Sequence, residues 1–172
     1  MCAKPIGVTL NLFLDSMNFR PTSTLGSIIA RAAFKAERND NANHLIDRLL
    51  LLALDEPRSH ASYLLQVLIG ECEVAQLRTQ IESEMSDLVP TARADRANVR
   101  SRFFSKIHDR LASAAVIGEP SNTGHILLLV ATDPTSVSGE VFLRNNIDYD
   151  RLLDAMGVLA VDEDRYHDLR LK

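Results

Sequence analysis

Two six-residue apolar runs limit this fold more than any other feature. Leu49-Leu50-Leu51-Leu52-Ala53-Leu54 is followed, 77 positions on, by Ile126-Leu127-Leu128-Leu129-Val130-Ala131. Each run is halted by an acid and a proline, Glu56-Pro57 and Asp133-Pro134. A segment that is apolar all round is buried on most of its sides. Taken alone, such a run fits a buried strand as well as a buried helix.

The flanks decide between the two. Before the first run, Pro21-Thr22-Ser23 supplies a helix start signal, because a hydroxyl there accepts from an orphan backbone N–H. Leu25, Ile28, Ile29, Ala32, Ala33 and Ala36 then recur at spacings of three and four, which places them on one helical face. After the run come Tyr63, Leu64, Leu65, Val67 and Leu68, closed by Gly70, and then Val74, Leu77 and Ile81. The same order returns in the second half. A shift of 77 superposes Leu49 on Ile126, Leu50 on Leu127 and Leu64-Leu65 on Val141-Phe142. A shift of 78 superposes Leu25, Ile29, Ala33 and Ala36 on Phe103, Ile107, Leu111 and Ala114. A shift of 75 brings Leu77 and Ile81 onto Leu152 and Met156. The changes of shift fall in loops, where insertions are tolerated. Each apolar run therefore sits between the same helical patterns, and the expected fold is all-α: one four-helix block written twice, the copies packed face to face.

The expected organisation is a lead-in over residues 1–20, a first repeat over 21–86, a linker over 87–97, a second repeat over 98–156 and a charged tail over 157–172. Val8, Leu10, Leu12 and Leu14 alternate with Thr9, Asn11 and Phe13 in a strand-like period of two. Gly157–Val161 is short and apolar too, so a small pairing of the two ends is one reading of both segments.

Composition removes several function classes. Hydrophobic residues make up 46% and charged residues 24%, so a core is within reach and disorder is not expected. Aromatics are 5% and Trp is absent, which makes that core aliphatic. The net charge of −4 argues against a general nucleic-acid binder. Arg93, Arg96, Arg100 and Arg102 are interrupted by Asp95 and read as a solvated helix start. Cys2 and Cys72 lie far apart without CxxC spacing, as in a reducing cytosol. The apolar start is too short and broken for a signal peptide or membrane span. A cytoplasmic protein is expected.

No pattern of catalytic residues emerges. His44, His60, His108, His125 and His167 are dispersed without metal-ligand spacing, and there is no G-x-S-x-G elbow. Glu71 and Glu73 flank Cys72, and their charge works against a thiolate. Asp162-Glu163-Asp164 reads as a solvated part of the tail. No G-x-x-x-x-G-K-[ST] loop is present to cradle a nucleotide. The expectation is a non-enzymatic chain with no cofactor and no metal.

The string Thr123-Gly124-His125-Ile126-Leu127-Leu128-Leu129-Val130-Ala131-Thr132-Asp133-Pro134 resembles the T-E-H-L-L-L-A-L-L…D-P signature of the Clp amino-terminal repeat. Asp47-Arg48-Leu49-Leu50-Leu51-Leu52-Ala53-Leu54-Asp55-Glu56-Pro57 fits the same pattern in the first copy. Ser136 through Leu143, then Asn145-Asn146-Ile147-Asp148, resembles the family's S-x-x-x-x-x-L-x-x-x-G-(I/V)-D segment. The likeness covers about residues 21–156. Three positions depart from it: Arg48 stands for the His, Gly124 for the Glu, and an Asn for the Gly before the last helix of the second copy.

The resemblance implies two four-helix repeats related by a pseudo-twofold axis, as at the front of Clp-type AAA+ unfoldases. It implies a domain that recruits protein substrates or adaptors to a Clp chaperone or protease machine, or docks on one, without membrane or nucleic acid. The lead-in and tail favour a stand-alone copy. The alternatives left open are the front end of a full Clp-type ATPase, including the type that recycles secretion sheaths, and an unrelated helical enzyme. Carried onto this sequence, the family's peptide groove maps to Thr22 at the start of the first helix, Leu25 as apolar wall, Glu119 in the loop before the apolar run, and His125. The plainer reading, that Thr22 is only an N-cap and Glu119 only solvated, weighs about equally, and His125 reads as a hydrogen-bonding residue at the start of its helix.

Overall fold

The computed structural model describes residues 21–39, 44–86, 107, 111, 120–159 and 163–164. The described residues hold seven helices: α1 (Ser23–Asn39), α2 (Leu45–Asp55), α3 (His60–Ile69), α4 (Glu71–Ser86), α5 (Gly124–Ala131), α6 (Val137–Arg144) and α7 (Tyr149–Val158). No strand ladder forms among them, and the fold is all-helical over these residues; Pro21 and Ser121 make an isolated parallel bridge. The alternating segment at 1–20, the linker and the arginines at 93–102 lie outside the described residues. Gly157 and Val158, read from sequence as part of a strand-like end, close α7 instead.

The helices start and stop where side-chain chemistry dictates. Thr22 accepts the Leu25 N–H at 3.3 Å and so caps α1. Ser59 accepts the Ser62 N–H ahead of α3, and Ser136, 77 positions on, accepts the Gly139 N–H ahead of α6. Asp148 does the same for α7 through the Arg151 N–H. α2 ends at Asp55 because Pro57 drives Glu56 into the extended region, with φ −86° and ψ 119°. The corner between α3 and α4 needs a left-handed residue, and Gly70 provides it at φ 95°. At the corner between α6 and α7, Asn146 adopts φ 56°. Asn is among the few residues with a side chain that visit this region readily.

The two apolar runs form the centre. Every residue from Gly124 to Val130 in α5 is buried, and in α2 so are Leu49, Leu50, Leu52 and Ala53. These helices pack on each other; α2 also meets α1, α3 and α6, while α5 meets α3, α6 and α7. α4 lays Val74, Leu77 and Ile81 inward and packs on α3 and α6. Ile107 and Leu111 are helical and buried in the same core. Phe142 is fully buried, whereas Leu143 is 61% exposed. On the surface, both Arg144 nitrogen-to-carboxylate bonds to Glu84 are short, 2.6 and 2.8 Å. No described helix is long and apolar enough to cross a membrane.

Two outcomes follow. Leu127→Ala removes a fully buried side chain and is expected to lower the unfolding free energy by about 2–5 kcal/mol, read by urea denaturation; Leu143→Ala is expected to stay within about 0.5 kcal/mol. The hydrogen bonds from Arg144 hold the Glu84 carboxyl below its ordinary pKa. Their stabilisation is therefore present above the usual carboxylate range and disappears as pH falls through the lowered value. In a pH series, wild type and Arg144→Ala should converge in stability in acid and separate toward neutrality.

A buried carboxylate seat where three helices begin

Three of the four sequence-expected site residues lie among the described residues. Thr22 is buried at the start of α1, with its hydroxyl turned toward the interior of the molecule. Leu25 is fully buried in the core, so it backs the start of α1 rather than lining an open surface. His125 is buried in the first turn of α5, and its Nδ1 accepts the Asn122 N–H at 3.1 Å. Glu119 lies outside the described residues.

What meets Thr22 is a residue that sequence reasoning placed in solvent. Glu163 is fully buried, and this corrects its reading as part of a solvated acidic run. Its Oε2 accepts the Thr22 hydroxyl at 2.6 Å. Its Oε1 accepts the His60 N–H at 2.8 Å, the Thr123 N–H at 3.0 Å and the Thr123 hydroxyl. All four partners are donors, the set that an ionised carboxylate takes. Asp164, beside it and exposed, accepts the Ser23 N–H at 2.9 Å and the Ser23 hydroxyl at 2.6 Å.

The geometry follows from helix termini. The first N–H groups of a helix have no intrahelical partner and carry partial positive charge. α1 contributes Ser23 N–H, α3 contributes His60 N–H, and the residue preceding α5 contributes Thr123 N–H. The hydroxyls complete the arrangement without conflict. Thr123 donates to Glu163 while accepting the Ala61 N–H at 3.0 Å and the Ser59 hydroxyl at 3.0 Å. Ser59 in turn caps α3. Thr22 donates to Glu163 and accepts from Leu25.

His60 closes the far side. Its Nε2 donates to the Leu159 carbonyl at 2.8 Å, which leaves Nδ1 as the ring's second nitrogen; that atom is buried and finds no hydrogen-bond partner among the described residues. A Cβ added at Gly124 would come within 3.1 Å of it and 3.2 Å of Leu64 Cδ1. The space in front of Nδ1 therefore exists only because position 124 is glycine.

A second buried carboxylate, Asp47 in α2, accepts the Ser138 N–H at 2.7 Å near the start of α6 and meets His44 Nδ1 at 3.3 Å. It joins α2 to α6 across the molecule. Elsewhere, a cavity of about 530 Å³ lies between α2 and α4, crossed by Arg78 bridging Asp55 and Glu82 at 3.0 Å each. Arg48 lines it, and burial pulls the Arg48 pKa below its ordinary value while the charge of Asp47 acts the other way. Among the described residues, no three His, Cys, Asp or Glu side chains cluster so as to hold a metal ion.

Chemically, the seat binds and orients a carboxylate. The signal that was available in the sequence is the set of hydroxyls Thr22, Ser23, Ser59 and Thr123 at helix starts; the convergence of Thr22 and Thr123 on Glu163 was not. Comparison with known proteins places the chain beside none of them: no family model, no curated protein and no solved structure matches it.

Thr123→Val strips the seat of one donor and leaves the Ala61 N–H and Ser59 hydroxyl short of an acceptor. An expected loss of about 2–3 kcal/mol follows, measured by thermal or chemical unfolding, against less than about 0.5 kcal/mol for the exposed Thr135→Val.

Proposed function

We propose that this chain is a non-enzymatic protein-binding domain, built as two pseudo-twofold-related four-helix repeats, that recruits substrates or adaptors to a Clp chaperone or protease machine or docks on one. The observation that carries the binding role is the seat itself: a built, donor-lined site that already holds two consecutive carboxylates of a polypeptide segment, Glu163 and Asp164.

The repeat reading draws support from paired details that lie outside the original apolar match. Ser59 and Ser136 cap corresponding helices. Gly70 and Asn146 take left-handed backbone at corresponding corners. The packing pairs are also reciprocal: α2 on α6 corresponds to α5 on α3, and α4 on α6 to α7 on α3. The Clp assignment rests on the resemblance of 47–57 and 123–134 to the Clp repeat. On this reading the Glu163 seat draws donors from both repeats, at residues 22, 60 and 123.

The purified chain is expected to bind a permanently unfolded client or a Clp-type ATPase hexamer, and to change client degradation when added to a reconstituted ATPase–protease pair. Sedimentation showing no complex with either, together with unchanged degradation, would sink the Clp reading.

A further inference from the structure

Two carboxylates sit at related places in the doubled block but reach them by different routes. Asp47 projects from α2 itself and receives the Ser138 N–H of α6. At the shift of 77, Asp47 corresponds to Gly124 and Ser138 to Ala61. Gly124 has no side chain to offer, and the packing around it leaves a Cβ in contact at 3.0–3.2 Å with Asn122, His60 and Leu64. The Ala61 N–H donates to the Thr123 hydroxyl instead, and that hydroxyl in turn donates to Glu163. The second carboxylate is thus supplied from beyond α7, by a residue outside the helical blocks.

We infer that the seat at Thr22, His60 and Thr123 is a receptor for a Glu-Asp acidic segment of a partner protein, and that this chain's own Glu163-Asp164 occupies it as an internal competitor. The inference rests on the protein-binding reading above and names the chemistry of the segment bound. Three features carry it. The contacts made by the pair are hydrogen bonds from donors on the helical blocks, so any polypeptide offering two adjacent carboxylates meets the same donors. Half of the clasp, Asp164 on Ser23, is solvent-exposed, which gives an incoming segment a place to begin. His60, whose backbone N–H donates to Glu163, is only 1% exposed, and its Nδ1 has no hydrogen-bond partner among the described residues, so the internal pair leaves a buried polar atom beside its own donor residue unused.

A tethered ligand competes at an effective concentration on the order of millimolar, and occupancy by it lowers the apparent affinity for a free segment by the fraction of seats left open. The probe is a fluorescein-labelled peptide of residues 159–168, and the readout is anisotropy with the full chain. The double variant Glu163→Gln, Asp164→Asn is expected to bind the peptide at least tenfold more tightly than wild type. A peptide carrying the same two amides should bind neither, and adding Thr123→Val to the double variant should abolish binding. Equal binding of both peptides, or a folded double variant that binds no peptide, overturns the inference. If the double variant loses its helical circular dichroism, Asp164→Asn alone decides: it touches only the exposed half, and a roughly threefold gain supports the competitor while unchanged affinity overturns it. Peptide binding without any Clp or client response would leave the seat standing and remove the Clp reading. Client binding indifferent to both amides would do the reverse.

Discussion

The carboxylate of Glu163 is the interaction on which the arrangement at one end of the molecule depends. A buried charge is costly to remove from water and is tolerated only when hydrogen bonds replace the lost hydration. Here four donors do so, drawn from the start of α1, the start of α3 and the turn before α5. The same contact answers the need of the helices, whose first N–H groups have no partner of their own. Anion and helix termini each satisfy what the other lacks, and three helices are thereby fixed at their first residues.

The second buried acid shows the same logic from the opposite direction. Asp47 lies in α2 among buried leucines, at 1% exposure, where an unpaired carboxylate would be untenable. It survives there because the start of α6 is within reach. The core and the polar clasps are therefore not separate systems. The apolar faces of α2 and α5 bring the helices together, and that packing carries the N-termini of α3 and α6 to the acids that complete them.

Much of the helical layout was legible because its causes are short-range. Periods of three and four in 25–33 mark one face of α1. The acid-proline stops end α2 and α5, and serines precede α3 and α6. Leu25 was legible as apolar and helical, but whether it faced a groove or the core depended on what packs over it. The acidic run at 162–164 was misread for the same reason: consecutive charges ordinarily mark a solvated face, and nothing within a few residues of Glu163 announces a partner. Its donors stand 141, 103 and 40 positions away.

The division between the two kinds of information is physical. By itself the sequence determined where helices begin and end and which of their sides are apolar, since hydrogen-bonded turns and side-chain periodicity are set by neighbours along the chain. Only the tertiary structure decided that Thr22, His60 and Thr123 face a single carboxylate, that Gly124 leaves room beside His60, and that an acid from the far end of the described chain fills the seat. Those relations depend on distances between helices that share no local hydrogen bonds, and they come into being only when the apolar runs have packed.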